Sequence, residues 1–132
     1  MAEELSQASI ALVERPVLAH LATVDPKGRP QVTPVWVDHD GNNLVINTAL
    51  GRAKANHLEH NPDVSVSIVA PDDNYSVVAL RGKVTDITTD GADEHIDSLA
   101  NKYLGVDKYP MRREGEVRIK VTIEPQHIYM QI

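Results

Sequence analysis

The chain has 132 residues, 42% of them apolar and 24% charged, which suits one soluble domain with a core of its own and excludes a disordered segment. A net charge of -6 speaks against general nucleic-acid binding, and no apolar run approaches the roughly 20 residues of a membrane span. The absence of cysteine removes disulfides, thiolate metal sites and cysteine nucleophiles together.

The N-terminus is acidic (Glu3, Glu4) and lacks the basic and apolar regions of a signal peptide, so the expected setting is cytoplasmic. From Glu4 to Glu14 the spacing of Leu5, Ala8 and Leu12 predicts a helix that Pro16 breaks. Val17 to Val24 reads as a strand, followed by an Asp25-Pro26-Lys27-Gly28 turn and extended structure from Gln31 to Asp38. Pro34 within that segment implies a sheet edge or bulge. Asp40-Gly41-Asn42 then turns the chain into a strand from Leu44 to Thr48.

Gly51 to His60 reads as a short helix stopped by Asn61-Pro62. Val64 to Val69 alternates as a half-buried strand does, and a loop at Pro71 to Asn74 leads to a long strand from Tyr75 to Ile87, with Gly82 as a bulge. Thr89 or Asp90 is the expected cap of a third helix, whose core face is Ile96, Leu99, Ala100 and Tyr103 and whose stop is Gly105. Val117 to Ile123 alternates again, Pro125 marks a turn, and His127 to Ile132 forms a last strand. The order is helix, three strands, helix, two strands, helix, two strands. Hairpin-linked strands with few helices favour a mainly β, α+β antiparallel barrel over a parallel sheet, in a single domain spanning 1–132.

The segment Asn47-Thr48-Ala49-Leu50-Gly51-Arg52-Ala53-Lys54 carries the clearest chemistry. A helix start presents unpaired N–H groups and the positive end of the macrodipole, where Asp or Glu is the favoured side chain. Arg52 and Lys54 stand there instead, which points to a bound anion, most simply a phosphate. His57 and His60 do not have the spacing of a zinc-protease motif, and no metal is expected. His20, in an apolar strand, reads as a hydrogen-bonded core or interface residue, and no hydrolytic Ser/His/Asp set stands out.

Several segments together resemble the pyridoxamine-phosphate-oxidase-like flavin/deazaflavin split-barrel oxidoreductases, and within them the small F420-dependent branch. They are Leu21-Ala22-Thr23-Val24 with Gly28-Arg29-Pro30-Gln31, Thr33-Pro34-Val35-Trp36-Val37, Asn47-Thr48 with Arg52-Ala53-Lys54, and Asn61-Pro62-Asp63-Val64. Further on come Arg81-Gly82-Lys83-Val84, Asp93-Glu94-His95-Ile96-Asp97 and Lys102-Tyr103-Leu104-Gly105. The resemblance covers roughly residues 15 to 130.

It implies an FMN-binding-type split barrel that forms a homodimer with cofactor sites at the subunit interface. It implies that Arg52 and Lys54 hold the cofactor phosphate, that the ring lies against Thr33, Pro34, Val35 and Trp36, and that Asn47 and Thr48 hydrogen-bond the cofactor. Tyr75 matches an aromatic residue that reaches the cofactor from the partner subunit. The implied activity is hydride transfer from reduced coenzyme F420 to an electron-poor small molecule such as a quinone, a tetrapyrrole, an unsaturated lipid or a nitro compound. An FMN-dependent oxidoreductase is the alternative, as is a non-enzymatic cofactor or haem carrier. Because the chain ends at Met130-Gln131-Ile132 without the Arg-containing segment of the vitamin B6 oxidase, a B6 substrate is not expected. The catalytic residues and the proton donor stay open.

Overall fold

In a computed structural model that describes residues 2–132, the strands form one seven-stranded antiparallel sheet of order β2-β1-β5-β6-β7-β4-β3. The elements are α1 (Gln7–Glu14), β1 (Leu18–Val24), β2 (Pro30–Trp36), β3 (Asp38–Asp40), β4 (Asn43–Ala49), α2 (Ala53–His60), β5 (Asp63–Ala70), β6 (Asp73–Thr88), α3 (Ala92–Leu104) and β7 (Arg118–Met130). The sheet curls into a split barrel. Its interior holds Leu21, Val37, Leu44, Ile46, Ile68, Leu80, Ile119, Val121 and Ile123, and α1 and α2 add Leu12, Val13, Ala55 and Leu58 to the same cluster.

β2 is an edge strand, as Pro34 requires, because its missing N–H leaves no ladder partner unpaired there. Beyond Trp36 the chain breaks at Val37 and re-pairs as β3 on the opposite edge, so the extended segment expected from Gln31 to Asp38 is two strands. α1 begins at Gln7, not at residue 4, because Ser6 caps it through a bond to the Ser9 N–H. Its inward face is Ser9, Leu12 and Val13, while Ala8 is exposed. Neither Thr89 nor Asp90 caps α3; Gly91 holds the N-cap position without a side-chain bond, and Gly105 ends the helix as expected.

Pro125 does not turn the chain. β7 runs through it as one strand from Arg118 to Met130, and Pro125 pairs with Gly82 where the β6–β7 register shifts. A proline in mid-sheet is tolerated at such an irregularity, where no ladder N–H is needed. Gly82 serves that crossing by closeness. A Cβ there would lie 2.6 Å from Ile123 Cγ2 and 3.1 Å from the Glu124 carbonyl. Gly82→Ala is therefore expected to cost about 1–3 kcal/mol of stability, read as a lowered urea midpoint at unchanged slope.

The strands' two faces differ in cover. On β4 and β7 the pairs Asn47–Lys120 and Ala49–Arg118 point away from the barrel interior, and α3 lies over them. On β1, β2 and β5 the corresponding outer face is bare. Leu18, Val32 and Val69 are exposed there, Val32 by 63%, and Tyr129 of β7 is exposed beside them. His20, expected in a core or an interface, lies on this exposed face of the single chain.

Candidate functional site

β4 ends at Ala49, and Leu50-Gly51 turns the chain into α2. Gly51 has φ +90°, a conformation an L side chain rarely adopts, and it delivers Arg52 to the helix start. Arg52 is the N-cap residue but makes no side-chain capping bond, and the first turn of α2 carries no acid. The first turn of α2 thus supplies no anion of its own, and Arg52 and Lys54 flank a cavity of about 220 Å³.

Pro34, Val35 and Trp36 from β2, Asn47 from β4, and Arg52 and Lys54 line this one cavity. Six of the residues singled out in the sequence are thereby brought together. Thr33 and Thr48 do not line it. Their register partners, Leu21 and Ile119, are core residues, so both threonines turn inward, and neither Oγ1 has a hydrogen-bond partner among the described residues. Tyr75 stands apart at the start of β6, 93% exposed.

The remaining lining residues were not evident from the sequence: Leu18, Ile96, Leu99, Tyr109, Met111 and Arg118. Arg118 matters most. It is only 4% exposed, and its Nε donates to Asn47 Oδ1 at 2.8 Å while its Nη1 donates to Glu116 Oε1 at 2.8 Å. Its guanidinium also lies 5.2 Å from the ring centre of Tyr109. Strand alternation puts Arg118 on the polar face of β7, but only the packing of α3 and the 105–117 segment shows that this face roofs a cavity.

Three cations, Arg52, Lys54 and Arg118, therefore share the site with a single carboxylate. Glu116 sits 2.8 Å from Arg118 and 3.6 Å from Arg52. Lys54 is half-buried and has no ion-pair partner among the described residues. Burial, then the charges of Arg52 and Arg118, push its pKa below the usual lysine range. A partly desolvated cluster in which three cations face one carboxylate is what a phosphate group would relieve, and the donor set fits one: forked guanidinium groups and an ammonium.

The β2 side of the cavity is aromatic and apolar. Trp36 stacks on Tyr103 at 5.0 Å and 12°, and Tyr109 meets it edge-on at 6.0 Å. Tyr103 is itself pinned, accepting from the Val37 N–H at 2.9 Å and donating to the Val17 carbonyl. Asp97 holds the 105–117 segment by accepting from the Tyr109 N–H at 2.8 Å and by pairing with Arg112. These bonds and the neighbouring cations hold the Asp97 carboxyl below its ordinary pKa.

A family model described as pyridoxamine 5′-phosphate oxidase matches residues 5–129. The chain belongs to the pyridoxamine 5′-phosphate oxidase family. Among curated members of that family it is 41% identical over 63 residues to a pyridoxine/pyridoxamine 5′-phosphate oxidase of Photorhabdus laumondii, the match spanning 47% of this chain and 29% of that enzyme. The counterpart in Salmonella paratyphi B is 43% identical over the same length and shares. A solved structure of an F420 reductase is 32% identical, with a TM-score of 0.78 over 89% of this chain and 93% of that one. The haem storage protein HutZ of Vibrio cholerae, 14% identical with a TM-score of 0.66 over 97% and 95% of the two chains, shares the fold. The family is one of oxidoreductases that use flavin-type cofactors.

His57, which formed part of the sequence's only close histidine pair, hydrogen-bonds Thr23 Oγ1 at 2.9 Å. No cluster of His, Asp or Glu able to hold a metal occurs among the described residues, and no helix is long and apolar enough to cross a membrane.

Proposed function

We propose that this chain is an F420-dependent reductase whose cavity binds the phosphate of the cofactor through Arg52, Lys54 and Arg118 and its ring against Pro34, Val35 and Trp36. The single observation that carries this reading is the three-cation, one-carboxylate cradle beside an aromatic wall. The choice of F420 over FMN is supported by the similarity to the F420 reductase across nearly the whole chain.

The cofactor supplies a hydride when bound and reduced, so the protein's task is to hold and aim. The charged end fixes position along the site. Trp36, stiffened by Tyr103, gives a flat wall for a planar ring, and Leu18, Ile96 and Leu99 add apolar lining. Among the described lining residues none is a carboxylate or a histidine, and Tyr109 carries the one O–H. A product proton would come from that hydroxyl or from solvent. A haem reading would call for a histidine ligand, and the described lining residues of one chain include none.

The same reading makes the active species a homodimer. A cavity of about 220 Å³ is smaller than the roughly 300–1,000 Å³ of ordinary small-molecule sites. The bare outer face around Val32, Val69 and Tyr129 supports cover by a second copy, and Tyr75, free of its own cavity, would then serve the partner's site. The proposed compartment is the cytoplasm.

The test is anaerobic turnover. Reduced F420 is mixed with the protein and a quinone, biliverdin or a nitroaromatic, and the return of the oxidised deazaflavin absorbance is followed. Protein-dependent reoxidation with at least one acceptor is expected. Reoxidation of reduced FMN with no effect on reduced F420 would contradict the assignment.

A further inference from the structure

We infer that His95 is a positioning residue for the anion cradle: by fixing the amide of Asn47, it fixes the guanidinium of Arg118. The inference rests on the reading of this cavity as a phosphate-binding site. Asn47 Nδ2 donates to the Ala92 carbonyl at 2.8 Å and lies 3.2 Å from His95 Nδ1. Both amide hydrogens are thereby used, and Oδ1 is turned to accept from Arg118 Nε at 2.8 Å. The arrangement works in one protonation state only. His95 Nδ1 must be an acceptor, which places the ring hydrogen on Nε2.

A doubly protonated ring would set N–H against N–H at Asn47. Turning the amide over would not help, because its NH₂ would then face Arg118 Nε–H and its oxygen the Ala92 carbonyl. The surroundings favour the neutral ring. The side chain is 10% exposed, and His95 lies in the first turns of α3, where the macrodipole disfavours a cation. The charged groups facing it from other elements are Asp38 of β3, 3.8 Å from Nε2, and Lys120 of β7. Burial outweighs the attraction of Asp38, Lys120 adds to it, and together they push the imidazole below its ordinary pKa. Nε2 has no hydrogen-bond partner among the described residues, so Asn47 is the contact through which the ring acts on the site.

The test compares wild type with His95→Leu and His95→Asn, measuring the dissociation constants of F420 and FMN by fluorescence from about pH 8 to about pH 5. Asparagine can place its Oδ1 where Nδ1 stood, and it does not titrate. His95→Leu is expected to bind about tenfold more weakly at the alkaline end, the worth of one positioned bond. His95→Asn is expected to bind like wild type there. On acidification wild type should lose affinity more steeply than His95→Asn, and any titration of the ligand itself is common to both. Coincident pH profiles for wild type and His95→Asn, or wild-type affinity in a folded His95→Leu, would overturn the inference. If Arg52→Ala and Lys54→Ala weaken binding while the His95 variants do not, only the positioning role falls. A wild-type protein that binds neither probe overturns both the site and this role.

Discussion

Replacing Arg52 and Lys54 together by alanine is expected to weaken F420 binding about a hundredfold or more, with little change in the melting temperature. Each side chain offers a charge-assisted contact worth about 1.5–3 kcal/mol, and about 1.4 kcal/mol is a factor of ten in affinity. Stability should be spared because Arg52 makes only a 3.6 Å contact to Glu116 and Lys54 none among the described residues. Relief of repulsion within the cluster offsets part of what is lost. Lys54 also sets an alkaline limit. Its pKa is already lowered by burial and by two neighbouring cations, and a bound phosphate would favour its charged form. Affinity should therefore fall as pH rises and Lys54 loses its proton, below the ordinary lysine value of about 10.4. Lys54→Arg should not show that fall. Wild-type affinity in the double variant, measured by equilibrium titration, would mean that the anchor lies elsewhere.

Arg118 behaves differently because it is both buried and paired. Arg118→Met leaves the Glu116 carboxylate, itself 7% exposed, facing only Arg52 at 3.6 Å. Removing one partner of a buried pair costs about 3–5 kcal/mol, so the melting temperature should drop by roughly 10 °C or more. Arg118→Met combined with Glu116→Gln removes both charges and should recover most of that loss. Cofactor affinity should not recover, because the guanidinium that faces the cavity is gone. Calorimetry for stability and titration for binding separate the two roles. Recovery of both in the double variant would make Arg118 a structural residue only.

What could be read from the sequence follows from how local each signal is. Arg52 and Lys54 declare themselves because their misfit with the helix start lies within a few residues. Pro34 marks an edge because proline chemistry holds wherever the strand sits. Gly82 marks an irregularity for a similar reason, although only the structure shows that Ile123 and Glu124 crowd it. Arg118, Tyr109 and Met111 were silent because their role depends on which sheet face α3 and the following segment cover, and a strand's own alternation does not contain that. Pro125 misled for the opposite reason. A proline and a change of pattern resemble a turn, whereas here the partner strand absorbs both in a shift of register. Asn47 is expected from the sequence to bind the cofactor; it lines the cavity, and its amide is also bonded to Ala92, His95 and Arg118, partners that only the fold brings together.

The most direct test is an equilibrium titration of the purified protein with F420, FMN and haemin in parallel, each followed by its own absorbance or fluorescence. Sub-micromolar binding of F420, weaker binding of FMN and no stoichiometric haemin complex is the result expected of the cradle formed by Arg52, Lys54 and Arg118. Tight binding of FMN with no measurable affinity for F420 would contradict it.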